Sequence, residues 1–196
     1  KLLNDKIISA ASCTTNCLAP VLNVIDKEFG ITSGYMTTVH AYTNDQANLD
    51  VAHKKGIYAR RGRASAANIV PTSTGAASAI GKVIPSLDGK LSGMAMRVPV
   101  ITGSVVDLVL KLKKEVTKEE INELLKNNQN ETLGYTTDPI VSSDVIGMSY
   151  GSLVDGLLTS VNKTEDGELV KIIAWYDNEM SYSYQMVRCA KYFLSL

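Results

Sequence analysis

The sequence predicts an α+β fold, a mixed and largely antiparallel sheet with helices on one face. Strand patterns follow one another directly at residues 92–100 and 104–113, and again at residues 152–162 and 168–176. Helical patterns fall at separate places and do not alternate with single strands, which argues against a βαβ succession. No strand pattern is followed by Gly-x-Gly-x-x-Gly or by a Walker-type loop, so the sequence holds no dinucleotide fingerprint of its own.

The first half of the chain opens with a helix that begins at or near Cys13. Apolar residues at helical spacing follow, and Gly30 ends the pattern. Residues 34–42 are rich in β-branched and aromatic side chains and predict a strand. Residues 43–62 are polar and irregular, and so long a loop by itself indicates function. Small residues over 76–84 predict a second helix.

The second half contains the remaining strands and two more helices. Residues 104–113 alternate apolar and polar side chains, which is typical of a strand with one buried face. Residues 117–120 (Thr-Lys-Glu-Glu) form a capping box that opens a helix, and residues 163–167 predict a hairpin turn. A last helical pattern covers residues 181–194. Because no repeat or linker interrupts the chain, we expect a single domain over residues 1–196.

Composition excludes several classes of partner. Lys plus Arg and Asp plus Glu both total 20, so net charge does not indicate a nucleic acid or a membrane surface. No apolar run approaches the roughly 20 residues of a membrane span, and no signal peptide is evident. Three cysteines without disulfide-like spacing fit a reducing, cytoplasmic setting. The basic residues of the segment 53–63 have Tyr58 as their only aromatic, so we interpret them as a solvated loop with one or two functional arginines.

Cys13 is the candidate nucleophile. A helix N-terminus favours negative charge, so a thiol there is expected to lose its proton more readily than usual. Cys17 lies four residues later on the same helix face; redox pairing is geometrically possible, but a small buried filler is the simpler interpretation. Cys189, in the last helical pattern, looks structural.

His40 is the candidate base. The sequence has two histidines, and His40 falls at the C-terminal end of a buried-looking strand. An isolated histidine there would more often be a satisfied core imidazole. The nearby Cys13 reverses that preference, because a Cys–His pair can hold a thiolate and then return a proton to a carbonyl oxygen.

Hydroxyls, glycine backbone and arginines supply the parts of anion sites. Arg97 is the most informative, because it lies within an otherwise apolar strand and a buried arginine needs an anionic partner. An internal salt bridge to Asp or Glu explains Arg97 equally well. The residues of this kind are Ser12, Thr14, Thr43, Arg61, Thr74, Gly75 and Arg97.

Asn178 follows the last strand, in Trp175-Tyr176-Asp177-Asn178-Glu179. Its side chain either caps the next helix or hydrogen-bonds a carboxamide, and the sequence leaves both open. We find no metal-ligand spacing and expect no metal.

Six motifs together resemble the C-terminal catalytic domain of the phosphorylating glyceraldehyde-3-phosphate dehydrogenase family. They occur in the family's order and span the whole chain. The motifs are ASCTTNCLAP at residues 11–20, TTVH at 37–40, YTNDQ at 42–46, PTSTGAA at 71–77, GMAMRVP at 93–99 and WYDNE at 175–179.

The resemblance implies a reaction and a role for each candidate. Cys13 would attack an aldehyde, and His40 would activate the thiol and accept a proton as hydride leaves to NAD. Phosphate would then release the Cys13 thioester as an acyl phosphate. By the same resemblance, the substrate's phosphate would be held by Thr43 and Arg97. The attacking phosphate would be held by Ser12, Thr14, Thr74 and Gly75, with Arg61 beside them. The nicotinamide would lie at Asn178 and Tyr182.

The resemblance also has departures. Ser78 stands where a lysine is common, and the loop before Arg61 is longer than in many relatives. The family's N-terminal NAD-binding Rossmann domain is absent from this sequence, and the helix at about residues 179–195 is expected to pack on it. The family implies a homotetramer and small-molecule partners, with NADP not excluded in place of NAD. The alternatives are erythrose-4-phosphate dehydrogenase, the more remote aspartate-semialdehyde dehydrogenase, and a non-enzymatic binding module.

Overall fold

A computed structural model describes residues 6–56 and 58–196. Within those residues the chain forms four α-helices around one eight-stranded sheet. The helices are α1 (Cys13–Phe29), α2 (Ala76–Val83), α3 (Lys118–Asn127) and α4 (Met180–Leu194). The strands are β1 (Ile31–Ala41), β2 (Val70–Ser73), β3 (Leu91–Val98), β4 (Ser104–Leu112), β5 (Leu133–Thr136), β6 (Ser152–Asp155), β7 (Ser160–Thr164) and β8 (Gly167–Tyr176).

The helix α1 organises the core. The Ser12 side chain caps its first turn, and Gly30 ends it with a φ of 70° that favours glycine. The apolar face of α1 lies against the sheet, and α1 contacts each of the other three helices. Its fully buried side chains include Cys17, Leu22 and Ile25, so the segment that carries the candidate nucleophile belongs to the main hydrophobic core.

The sheet is mixed and largely antiparallel. Its strand order is β2-β3-β1-β4-β8-β6-β5, and β7 pairs with the N-terminal part of β8. Only β1–β3 and β5–β6 pair in parallel among the described strands. The parallel register sets His40 of β1 opposite Arg97 of β3. Two candidate residues 57 positions apart are thereby neighbours at the same end of the sheet.

The α+β class and its sheet are confirmed, with differences in the details. The capping box is present, because Thr117 Oγ1 accepts from the Glu120 N–H at 3.2 Å and Glu120 Oε2 accepts from the Thr117 N–H at 2.7 Å. The single strand predicted at residues 152–162 is wrong: a turn after Asp155 divides it into β6 and β7. The short strand β5 was not predicted, since its four residues are too few to show a periodicity. No helix in the described ranges is long and apolar enough to cross a bilayer.

Candidate active site

Cys13 and His40 meet where a helix begins and a strand ends. Cys13 is the first residue of α1, and His40 is the last residue but one of β1. The distance from Cys13 Sγ to His40 Nε2 is 3.5 Å, within reach of an S–H···N hydrogen bond. His40 is buried, with 3% of its surface exposed, and Cys13 is half-buried. The structure therefore brings the predicted nucleophile and the predicted base into contact.

The tautomer of His40 follows from its second nitrogen. Nδ1 lies 2.7 Å from the carbonyl oxygen of Ala41, and only a protonated Nδ1 makes that contact favourable. The NH1 group of Arg97, 2.9 Å from Nδ1, has acceptors of its own in the Ala41 carbonyl at 3.1 Å and Thr43 Oγ1 at 3.0 Å. We therefore assign the proton to Nδ1, which leaves the Nε2 lone pair facing the thiol.

Burial keeps both members of the pair neutral in this arrangement. Desolvation, reinforced by the nearby Arg97 cation, lowers the pKa of His40 to about 4. Desolvation also raises the pKa of Cys13, and the hydroxyl of Thr14 offsets only part of that effect. The expectation that this thiol loses its proton more readily than usual is wrong for this site. A neutral Cys13 needs a base at the moment of attack, and His40 Nε2 is placed to be that base.

A buried tyrosine supports the thiol end of the site, and sequence analysis missed it. The hydroxyl of Tyr176 is 2.9 Å from Thr14 Oγ1 and 2.8 Å from Thr38 Oγ1. The ring of Tyr176 packs edge-to-face against His40, with 5.8 Å between the ring centroids. Desolvation raises the pKa of Tyr176, so it is a neutral hydrogen-bonding group. Tyr176 belongs to the WYDNE motif, but nothing in the pattern separates it from an ordinary core residue.

The hydroxyls of Ser12 and Thr14 already serve the fold. Ser12 Oγ accepts from the backbone N–H of Thr15 at 3.1 Å and is 2.7 Å from Thr15 Oγ1. Thr14 Oγ1 is 4.0 Å from Cys13 Sγ and is turned toward Tyr176. Both side chains border the thiol, and no hydrogen bond of the described residues joins them to Arg61, Thr74 or Gly75.

Arg97 has an internal partner, Asp45, so the salt bridge that the sequence left open is present, although sequence analysis did not predict which carboxylate forms it. The carboxylate of Asp45 accepts from the Thr43 hydroxyl and from NH1 of Arg61, and it lies 3.7 Å from NH2 of Arg97. Burial opposes its ionisation, but the Thr43 hydroxyl and the two guanidinium groups lower the pKa of Asp45 overall. The Nε of Arg97 is buried and without a partner among the described residues. A negative group therefore occupies the cradle that Thr43, Arg61 and Arg97 form.

Arg61 joins this cradle to the segment before α2. Its Nε donates to Thr72 Oγ1 at 2.7 Å and its NH2 donates to the Ser73 carbonyl at 2.9 Å. Thr74 follows directly, its hydroxyl accepting from the Ala76 N–H at 3.2 Å, and Gly75 precedes the first turn of α2. A cavity of about 690 Å³ lies beside Arg61. It is lined by Asp45, Thr72, Ser73 and the basic residues His53, Lys54, Lys55 and Arg60, among others.

Asn178 does not cap α4, so one of the two roles that the sequence left open is excluded. The cap is Asp177, whose carboxylate accepts from the N–H groups of Glu179 at 2.9 Å and Met180 at 3.2 Å. Asn178 Oδ1 instead accepts from Ser104 Oγ at 3.0 Å and from Thr102 Oγ1 at 3.3 Å. Its Nδ2 donates to Glu179 Oε1 at 3.1 Å, which leaves the second Nδ2 hydrogen without a partner among the described residues.

Ser104 connects Asn178 to the candidate base, His40. Ser104 Oγ accepts from the backbone N–H of Ala41 at 3.1 Å, and the carbonyl of Ala41 accepts from His40 Nδ1. Tyr182 lies in the first turn of α4 and is half-buried, without a side-chain hydrogen bond to the described residues.

The other cysteines are separate from this chemistry. Cys17 is fully buried, its Sγ 3.5 Å from Ser152 Oγ, and burial raises the pKa of Cys17 to about 12. It is a buried filler and remains a free thiol, as do Cys13 and Cys189. No group of three or more His, Cys, Asp or Glu side chains in the described part of the chain is arranged to hold a metal ion.

Comparisons with known proteins identify the family of the chain. Residues 12–178 match the family model described as glyceraldehyde 3-phosphate dehydrogenase, C-terminal domain. The chain is 57% identical over 192 residues to proteins named glyceraldehyde-3-phosphate dehydrogenase from Clostridium pasteurianum, Clostridium acetobutylicum and Streptococcus pyogenes. Each alignment covers 98% of this chain and 57% of the relative, so the chain spans little more than half of the relatives' length.

Proposed function

The chain belongs to the glyceraldehyde-3-phosphate dehydrogenase family as its C-terminal domain. From this premise we propose that it carries the catalytic thiol of the glyceraldehyde-3-phosphate dehydrogenase reaction. The reaction is the glycolytic oxidation and phosphorylation of D-glyceraldehyde 3-phosphate to 1,3-bisphosphoglycerate. The observation that carries the proposal is the 3.5 Å contact of Cys13 Sγ with His40 Nε2, beside the cradle of Thr43 and Arg97.

The first step is addition of the thiol to the aldehyde. His40 Nε2 takes the proton of Cys13 while Sγ bonds to the aldehyde carbon, and the imidazolium returns that proton to the carbonyl oxygen. The product is a hemithioacetal, and His40 is again neutral. Its Nδ1–H bond to Ala41 holds the ring in one orientation throughout, so Nε2 serves both proton transfers.

Oxidation and phosphorolysis use the same two residues. When bound, the nicotinamide of NAD supplies the hydride acceptor for the hemithioacetal carbon. His40 Nε2 takes the hydroxyl proton in that step, and a thioester remains on Cys13. Inorganic phosphate then attacks the thioester carbon, and the carbon–sulfur bond breaks. The acyl phosphate departs, and the Cys13 thiolate that remains regains its proton from His40.

The anion end provides substrate specificity. We assign the substrate's phosphate to Thr43 and Arg97, where it would replace the Asp45 carboxylate, with the free Nε of Arg97 as a further donor. We assign the attacking phosphate to Ser12, Thr14, Thr74 and Gly75, with Arg61 beside them. The support is that these residues begin α1 and α2, where backbone N–H groups lack helical acceptors.

Asn178 is the residue that we assign to the cofactor, with Tyr182 near it. Its Oδ1 is held by two hydroxyls and one hydrogen of Nδ2 is taken by Glu179 Oε1, so the second Nδ2 hydrogen can donate to a carboxamide oxygen, which fits a nicotinamide. NAD is the cofactor we propose; nothing at Asn178 distinguishes it from NADP, since the two share the nicotinamide.

We propose a homotetramer in the cytoplasm for the whole protein. The support for assembly is the sheet face opposite α1, where Tyr35 of β1 is 48% exposed and lies beside Val109 of β4, which pairs in turn with Lys171 of β8. A second sheet of the same kind would cover such a face.

The proposal is tested by the acylation half-reaction, which requires no NAD. Cys13 should attack 1,3-bisphosphoglycerate at the acyl carbon, release inorganic phosphate, and keep a 3-phosphoglyceroyl group that mass spectrometry detects. Hydroxylamine should remove that group, as expected for a thioester. Cys13→Ser should form no such adduct, and absence of the adduct on the wild-type chain would reject the proposed function.

Acetyl phosphate provides the matched substrate, because it has the reactive acyl phosphate but no second phosphate group. Arg97→Lys should lower the acylation rate from 1,3-bisphosphoglycerate about a hundredfold, as for loss of a bidentate anion contact. The rate from acetyl phosphate should change less than about threefold. Equal losses with both substrates would show that Arg97 acts on the thiol and not on the phosphate.

A protein preparation that reduces NAD with erythrose 4-phosphate faster than with glyceraldehyde 3-phosphate would favour the erythrose-4-phosphate dehydrogenase alternative.

A further inference from the structure

The backbone just before the nucleophile is strained. Ala11 has a φ of 62°, in the left-handed region that an alanine adopts only at a cost of about 1–2 kcal/mol. Ala11 is followed by Ser12, the N-cap of α1, and then by Cys13. The direction in which the chain enters α1, and hence the position of the Cys13 side chain, depends on the conformation of Ala11.

One side chain hydrogen-bonds a carbonyl on each side of that residue. Asn16 Nδ2 donates to the Ala10 carbonyl at 2.7 Å and to the Ser12 carbonyl at 2.9 Å. Because both partners are acceptors, the orientation of the amide is unambiguous. Ser9 Oγ adds a weaker local contact, accepting from the Ala11 N–H at 3.1 Å. Asn16 therefore bridges the strained residue from one turn inside the helix.

These bonds do not serve helix capping. The groups that a helix leaves without partners at its N-terminus are N–H donors, and Nδ2 is itself a donor. The capping function is already supplied by Ser12 Oγ, which accepts from the Thr15 N–H. What the Asn16 amide restrains is the path of residues 10–12, where a non-glycine residue with positive φ persists only if its surroundings hold it.

We propose that Asn16 is a positioning residue for the nucleophile: by holding Ala11 in the left-handed conformation, it keeps Cys13 Sγ against His40 Nε2. The inference rests on the proposed function only in taking Cys13 as the nucleophile. Without Asn16, Ala11 would relax to negative φ and the start of α1 would shift. A displacement of about 1 Å is enough to cost up to a hundredfold in rate.

The experiment measures the second-order rate of iodoacetamide alkylation at Cys13, with Cys189 as internal reference. Asn16→Ala should slow Cys13 by about tenfold to a hundredfold while Cys189 is unchanged. The matched control is Asn23→Ala, on the same helix seven residues later, half-buried and without a side-chain hydrogen bond to the described residues. It should leave both rates unchanged.

Two substitutions at Ala11 test the mechanism independently of Asn16. Glycine adopts positive φ without strain, so adding Ala11→Gly to Asn16→Ala should restore a large part of the lost rate. Ala11→Val should slow alkylation although Asn16 is intact, because a β-branched residue disfavours that conformation. The proposal would be overturned if neither Ala11 substitution has its expected effect, and Ala11→Val provides that test even if Asn16→Ala fails to fold. It would also be overturned if Asn16→Ala folds and Cys13 keeps its wild-type alkylation rate.

The outcome is separable from that of the proposed function. Alkylation uses no substrate phosphate and no cofactor, so it reports on thiol geometry alone. If the wild-type chain is alkylated selectively at Cys13 but is not acylated by 1,3-bisphosphoglycerate, the proposed function fails and the role of Asn16 stands. If the wild-type chain is acylated and Asn16→Ala leaves the acylation and alkylation rates of Cys13 unchanged, the role of Asn16 fails and the proposed function stands.

Discussion

The two ends of the candidate site are built in different ways. The thiol end consists of side chains on regular elements: the buried His40 and Tyr176 lie on strands, and the half-buried Cys13 begins a helix. The anion end lies between loops, and its charged groups partly face water, with side-chain exposures of 30% for Arg61 and 40% for Asp45. The thiol end is neutral, whereas the anion end is a set of opposite charges.

The difference suits the role that we propose for each end. Groups that move protons must keep one geometry, and hydrogen bonds to backbone in a packed core fix that geometry. Groups that bind a phosphate must exchange one anion for another, and an internal carboxylate such as Asp45 keeps the arginines paired until then. Changes at the thiol end should therefore affect every substrate, and changes at the anion end only phosphorylated ones.

The largest effect should come from removing the base. His40→Asn preserves a polar side chain but cannot take the thiol proton, so Cys13 acylation should slow by about a hundredfold to ten-thousandfold. The loss should be equal for 1,3-bisphosphoglycerate and acetyl phosphate, because both need the same attack. Rates are measured by quenched-flow mass spectrometry. A loss confined to 1,3-bisphosphoglycerate would mean that His40 belongs functionally to the anion end.

The burial of His40 also predicts a pH dependence of stability. Its pKa is lowered from 6.5 to about 4, so the unfolded state binds the proton more strongly than the folded state between these values. Stability is full above the unfolded pKa and falls as pH decreases. From about pH 7 to about pH 5 the free energy of unfolding should fall by about 2 kcal/mol on account of His40.

Urea unfolding of the wild type and His40→Asn at the two pH values measures this contribution. His40→Asn should show a pH dependence smaller by the predicted amount. The matched control is His53→Asn, which changes the other histidine, in the basic loop; an equal loss of pH dependence there would mean that the effect is not specific to the buried imidazole. If His40→Asn also keeps the wild-type pH dependence, the imidazole is solvated and the thiol end is not desolvated as described above.

Sequence analysis predicted the elements that have long periodic patterns and the motif residues that bear reactive groups. Cys13 at a helix N-terminus and His40 at a strand end needed only local patterns. Tyr176 and Asp45 were missed, because their roles arise from neighbours far away in the sequence: Thr14 lies 162 positions from Tyr176, and Arg61 lies 16 from Asp45.

The direction of the thiol pKa was wrong for a related reason. A helix N-terminus is visible in a sequence, whereas the desolvation that outweighs it depends on how completely α1 and β1 pack together. The alternative for Asn178 required the same kind of information. The capping role passed to Asp177, whose contacts with Thr102 and Gly147 join segments that no pattern relates.

The smallest effect should come from the carboxylate of the anion end. Asp45→Asn keeps the shape and removes the charge that competes with a substrate phosphate for Arg61 and Arg97. Because these ion pairs are partly exposed, the free energy of unfolding should change by less than about 1 kcal/mol. Half-saturation of acylation by 1,3-bisphosphoglycerate should occur at about threefold to tenfold lower concentration. Acetyl phosphate should show no change, and weaker binding of 1,3-bisphosphoglycerate would mean that Asp45 orients the two arginines for the phosphate and does not compete with it.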